Sequence, residues 1–247
     1  MALIFMTFAA PSFSQEQRLT DNNAIGWFVY TGTFRIKPKV ATHTEYQWRR
    51  VYGIKKPQQG LFRTGINYAL RKDISLNAGY AFAETFPYGD YPVATAFPEH
   101  RIYEQLALNN QADIVALSHR FTIEQRFVGK ILNQNNNKTI HWVYMNRMRY
   151  RVRAEMPITK KKDGKNIWGV ALMDEVFIGW GKNIGANVFD QNRLSILLNY
   201  KVNQNIKIEA GYLNQILQQG KRVNDKSVFQ YNNGFLLATH LSLSLIK

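Results

Sequence analysis

The sequence predicts an all-β fold, an antiparallel up-and-down transmembrane β-barrel of about ten to twelve strands, on three observations. Apolar residues recur with a period of two along most of the chain. Turn-like segments of alternately short and long length separate the runs. Arginines collect on the face opposite the aromatics. The 247 residues carry a net charge of +15 and no cysteine, which excludes a disulfide scaffold and thiolate metal sites. A hydrophobic content of 45% excludes a disordered chain. No apolar run approaches the roughly 18 residues of a membrane-crossing helix.

Residues 1–15 are uncharged, open on an apolar run through Ala10, and pass Pro11, Ser12 and Ser14 before Glu16. This is the pattern of a secretory signal peptide truncated at its basic front. Residues 16–247 are expected to form one barrel domain.

The alternation is clearest over residues 141–156. Trp142, Tyr144, Met148, Tyr150, Val152 and Met156 share one parity, and Arg147, Arg149, Arg151, Arg153 and Glu155 the other. On a strand that spacing puts four arginines on one face; on a helix it would scatter them. Taken in chain order, Val40, Tyr46 and Trp48 oppose His43, Glu45, Gln47 and Arg49, and Phe62, Ile66 and Tyr68 oppose Arg63, Gly65 and Asn67. Leu76, Tyr80 and Phe82 oppose Ser75, Asn77 and Gly79, and Ile102, Leu106 and Leu108 oppose Arg101, Tyr103 and Gln105. Leu117, Phe121, Ile123 and Phe127 oppose Ser118, Arg120, Thr122, Glu124 and Arg126. Leu194, Ile196 and Leu198 oppose Arg193, Ser195 and Asn199; Ile206, Ile208 and Tyr212 oppose Lys207, Glu209 and Gly211; Phe235, Leu237 and Leu241 oppose His240 and Ser242. Residues 24–36 and 166–180 are strand-like but poorly sorted. Bacterial single-chain barrels have even strand numbers, so these eleven candidates imply ten or twelve, with twelve favoured if residues 16–23 hide one more.

Short connections fall at 37–39, 71–73, 109–113 and 203–205, and longer ones at 53–58, 85–99, 129–138, 181–189 and 218–227. The lysine-rich 159–166 segment breaks this alternation. One plain end with short periplasmic turns and one end with longer outer loops is the expected shape. The aromatics near strand ends, together with export, turn the apolar face toward lipid and the arginines inward.

Six runs carry a resemblance: Glu99-His-Arg101, His119-Arg-Phe-Thr-Ile-Glu-Gln-Arg-Phe127, Arg149-Tyr-Arg-Val-Arg153, Asp174-Glu-Val-Phe177, Phe189-Asp-Gln-Asn-Arg193 and Ala210-Gly-Tyr-Leu213. In combination they resemble a family of uncharacterised outer-membrane β-barrel proteins of Gram-negative bacteria, a domain of unknown function. The resemblance covers nearly the whole chain after the signal segment. It implies an outer-membrane location and brings no activity, cofactor or catalytic residue with it.

The inward face is expected to hold Arg49, Arg63, Arg101, Arg120, Arg126, Arg147, Arg149, Arg151, Arg153, Arg193 and Lys207 against Glu45, Glu124, Glu155, Glu175 and Glu209. Such a lumen is either a structural salt-bridge network filling a narrow barrel or a narrow anion-preferring pore. On the outer face, Glu104, His119, Asn146 and Asp174 are polar exceptions. A turn centred near Gln111 pairs Glu104 with His119, and the next hairpin sets Asn146 beside His119. Such a row implies a β-bulge that turns these residues inward. The alternative is a lipid-facing acid–base site of an acyl hydrolase or acyltransferase, with His119 as base and Glu104 orienting it. No serine falls in that row.

Nucleic acid is excluded as a partner by the lack of any helix-turn-helix, zinc or aromatic ribonucleoprotein pattern. No cofactor or metal is expected. The expected partners are outer-membrane lipids and small anions, and the expected role is structural or a restricted conduit rather than catalysis.

Overall fold

The computed structural model describes residues 18–134, 137–160 and 166–246. The expected signal segment and the centre of the lysine-rich 159–166 connection lie outside the described residues. Eleven strands follow one another: β1 (Arg18–Lys37), β2 (Val40–Val51), β3 (Lys56–Ala69), β4 (Ile74–Thr85), β5 (Phe97–Ala112), β6 (Val115–Gln134), β7 (Asn137–Lys160), β8 (Asn166–Trp180), β9 (Phe189–Lys201), β10 (Ile206–Val223) and β11 (Lys226–Ser244). Each pairs with its sequence neighbours in a closed barrel.

The even count expected from the sequence is corrected to eleven among the described residues. The described part of 16–23 is the start of β1 and not a further strand. In an up-and-down chain an odd number leaves the first and last strands pointing the same way. Here β1 and β11 pair in parallel from Arg18↔Ser227 to Arg35↔Ser244, so neither edge is left open.

One mouth carries the tight connections at 38–39, 70–73, 113–114 and 202–205. The other is less elaborate than the sequence suggests, because several segments expected to be loops continue as strand. β6 runs to Gln134, β7 starts at Asn137, and β10 and β11 are joined by Asn224 and Asp225 at φ +48° and +58°. That is a two-residue hairpin turn with both φ positive, which Asn and Asp tolerate. The extended loops at this mouth are 86–96 and 181–188. The β10–β11 ladder slips between Gln218 and Arg222, and this stretch meets both loops: Ala186 N–H donates to Gly220 O at 3.1 Å, and the Gln219 side-chain Nε2 donates to Tyr91 O at 2.7 Å.

Large apolar side chains lie outside and charge lies inside. Phe62, Ile66, Ile102, Ile123, Leu172, Ile196 and Leu198 are exposed, whereas Glu45, Arg63, Glu124, Arg147, Glu175 and Glu209 are buried. Trp48, Trp142 and Trp180 sit outside toward the loop-bearing mouth. Trp168 and Tyr200 meet with ring centres 4.6 Å apart toward the other. The interior also has an apolar wall, built from Ile25, Trp27, Ala171, Leu197, Leu213, Leu236 and Ala238. This wall explains the poor sorting of residues 24–36: in β1 both faces are apolar, so alternation vanishes although the strand is regular.

Candidate functional site

The site is the barrel interior, and the period of two builds it. Because β6 and β7 are long and regular, their inward positions stack Arg120, Thr122, Glu124 and Arg126 against Arg151, Arg149, Arg147 and Met145 in register. Glu124 is fully buried and accepts hydrogen bonds from Arg147 Nη2 at 2.5 Å and Arg149 Nη1 at 2.6 Å, with Arg63 Nη2 at 3.5 Å. Arg147 reaches on to Asp190 at 2.7 Å and Arg149 to Glu175 at 2.8 Å, while Arg193 lies 3.8 Å from Glu175. Toward the loop-bearing mouth, Glu99 holds Arg101 at 2.7 Å and Arg126 at 2.5 Å. Toward the tight-turn mouth, Glu209 takes Arg153 at 2.5 Å and Lys207 at 2.8 Å, and Glu155 takes the same two at 2.7 and 3.2 Å. Forked guanidinium–carboxylate contacts of this kind fix orientation as well as charge.

Aromatic side chains complete the packing. Phe177 is fully buried, with the guanidiniums of Arg147, Arg149 and Arg193 within 5.1 Å of its ring centre. Trp27 receives Arg49 at 3.9 Å and Arg193 at 4.9 Å, and its indole N–H donates to Gln58 at 2.7 Å. Tyr103 lies across Gly79 and Gly65, which are paired on β4 and β3, and its hydroxyl stands 3.3 Å from Thr64 O. The glycines leave the space that the ring fills. The middle of the bore is therefore packed.

At the loop-bearing mouth, Tyr88 ties the 86–96 loop to interior side chains. Tyr88 hydroxyl donates to Gln230 at 3.0 Å and accepts from Gln58 at 3.1 Å and Asn232 at 3.2 Å. Burial pushes the Tyr88 phenol up from its ordinary pKa, which keeps it protonated as a donor. Gly89, at φ +82°, presses so closely on Asp21 that a Cβ there would stand 2.1 Å from its carboxylate. The tight-turn mouth keeps open space. A cavity of about 340 Å³ is lined by residues including Asn109, Ala116, Ser118, Arg153 and Glu155, and one of about 210 Å³ by Glu155, Gly169, Asn199 and Lys201 among others.

Each residue assigned to the inward face by parity lies there: Arg49, Arg63, Arg101, Arg120, Glu124, Arg126, Arg147, Arg149, Arg151, Arg153, Glu155, Glu175 and Arg193, with Glu45, Lys207 and Glu209. Sequence reasoning missed three interior acids, Asp21, Glu99 and Asp190. Glu99 and Asp190 fall at strand starts that had been assigned to loops or their edges. Parity with Arg101 marks Glu99, whereas Asp190 has the parity opposite to Arg193 and is set inward beside Gln191 by the register shift between Phe177 and Ile178. Among the described residues, three interior arginines have no acid within ion-pair distance: Arg49, Arg120 and Arg151. Arg49 is instead held by Gln47, Gln59 and the Trp27 ring.

The outer row is corrected. The β5–β6 turn is centred on Asp113 and Ile114, with Asp113 at φ +52°, so Glu104 opposes Ile123 and His119 opposes Leu108. Glu104 is thus four positions from His119 along the ladder and accepts from Gln125 Nε2 at 3.2 Å. His119 Nδ1 meets Tyr150 hydroxyl at 2.9 Å, Asn146 opposes Gln125, and Asp174 accepts from Asn192 at 2.8 Å. The proposed dyad does not form. Nor does a bulge turn these residues inward, since both ladders are continuous there. Among the described residues, no group of three or more His, Asp or Glu is placed to hold a metal.

A family model described as protein of unknown function DUF2490 matches residues 25–226. Among solved structures, a NanC porin in a rhombohedral crystal form aligns over 88% of this chain and 97% of its own, at 12% identity and a TM-score of 0.46. No curated protein matches the chain.

Proposed function

The chain belongs to the DUF2490 family, and from that premise we propose that it is an outer-membrane barrel with a narrow, anion-preferring interior. The observation that carries this reading is the inversion of the fold: leucines, isoleucines and aromatics outside, paired arginines inside. Water would not favour so large an apolar exterior, whereas hydrocarbon demands it, and a closed barrel leaves no backbone group unpaired in lipid. Residues 1–15 serve in this reading as the export signal. Outer-membrane lipids are then the partners of the outer face.

The interior carries more arginine and lysine than acid, which favours anions over cations. Its middle is packed around Glu124 and Phe177, so conduction is small and depends on those contacts parting. The same packing supports a second reading, a purely structural barrel. Reconstitution into planar bilayers under a salt gradient separates the two. A reversal potential on the anion side with small unitary steps supports the conduit; silence leaves the structural barrel, and a cation preference removes the anion reading. The acyl hydrolase or acyltransferase alternative loses its His119–Glu104 pair to the observed register.

A further inference from the structure

We infer that Arg120 and Arg151 form a binding site for one small oxyanion, a carboxylate or phosphate group that enters from the tight-turn mouth. The inference deepens the anion-preferring reading and rests on it for the solute's route. The two arginines are direct partners across the β6–β7 ladder and both face the interior. Residues so opposed have Cβ atoms only about 5 Å apart, a spacing at which like charges repel. Among the described residues neither has an ion-pair or hydrogen-bond partner, and the Nε of each is shut off from solvent.

The interior acids Glu45 and Glu175 are committed elsewhere. Glu45 sits with Arg63 at 3.8 Å and His43 at 3.6 Å. Glu175 opposes Arg151 in register, yet it turns to Arg149 at 2.8 Å and Arg193 at 3.8 Å. On β5 the neighbour of Arg120 is Ala107, whose methyl group offers no counter-charge. One pleat toward the tight-turn mouth, Ser118 and Arg153 line the cavity of about 340 Å³. A solute in that cavity meets the two guanidiniums next, and the packed layer of Thr122, Glu124 and Arg149 beyond them.

Two adjacent guanidiniums without a partner match the several oxygens of a carboxylate or phosphate, which can bridge both and do there what Glu124 does one layer deeper. A dianion offsets both charges. Chloride has neither the valence nor the geometry, so phosphate outcompetes it.

The test is calorimetric titration of the full-length protein in detergent micelles with inorganic phosphate at low ionic strength. One site is expected. Arg120→Gln and Arg151→Gln each weaken it at least tenfold, while Arg71→Gln, a change at an exposed turn of the same mouth, leaves it unaltered. Both interior variants remove a repelling charge and are expected to melt no lower than the parent without phosphate. Should either fail to fold, Arg151→Lys, which keeps the charge and loses the fork, is expected to weaken phosphate as well. Undetectable binding in the parent, or binding indifferent to the interior variants, overturns the site. A protein that binds phosphate but stays silent in bilayers keeps the site and loses the conduit; one that conducts without binding loses the site alone.

Discussion

Arg63 on β3 and Glu124 on β6 lie three strands apart on the barrel wall, yet their side chains come within 3.5 Å inside it. Contacts of this kind hold the wall from within, since each ladder bond joins only adjacent strands. Arg153 on β7 and Glu209 on β10 make the same reach at 2.5 Å.

Glu124→Gln is expected to be the costliest single change in the interior. It takes one carboxylate from Arg147, Arg149 and Arg63, which keep only Asp190, Glu175 and Glu45, and removing one partner of a buried ion pair costs about 3–5 kcal/mol. Glu155→Gln, at the more open mouth, is expected to cost about 1 kcal/mol or less. Urea titration of the refolded barrel in micelles reads both. Equal effects would mean that the centre is as wet as the mouth.

Gly65→Ala tests the seat of Tyr103. A Cβ at residue 65 would stand 2.6 Å from both Ala78 O and the Tyr103 hydroxyl. Overpacking of this sort costs about 1–3 kcal/mol. Tyr103→Phe in the same background is expected to recover part of the loss, because one of the two close contacts disappears.

Ile196→Arg discriminates lipid from water at the outer face. Ile196 is 50% exposed near the middle of β9, between Leu172 and Tyr212. In a bilayer an arginine at midplane costs about 2–4 kcal/mol. In water the same change would be neutral or improve solubility. Refolding yield into vesicles, compared with the parent, decides.

Tyr88→Phe is expected to loosen the 86–96 loop while leaving the barrel intact. Gln230, Gln58 and Asn232 lose a shared partner, at a cost of about 1–3 kcal/mol. Faster amide exchange confined to residues 86–96 and their contacts is the expected readout; exchange spread over all strands would contradict it.

Strand parity was legible because one face meets one medium and the opposite face another; residues 141–156 display this without ambiguity. Legibility failed where the contrast failed. In β1, Ile25 and Trp27 point inward beside outward Phe28, so the pattern lost its period. Register was harder than parity, since a turn centre misplaced from Asp113-Ile114 to Gln111 moved every cross-strand partner by four and produced a His119–Glu104 pair that does not exist. The inward turn of Asp190 and the role of Tyr88 depend on a bulge and on how a loop folds back. No local spacing encodes either.

The parallel seam between β1 and β11 has a topological consequence. Arg18 emerges at the loop-bearing mouth, whereas Ser244 emerges at the opposite one. Where the outer face meets lipid as proposed, a wall crossed an odd number of times sets these two strand ends apart, so antibodies against epitopes inserted beside Arg18 and beside Ser244 would reach them from opposite sides. An even-numbered hairpin array returns both strand ends to one mouth and never separates them.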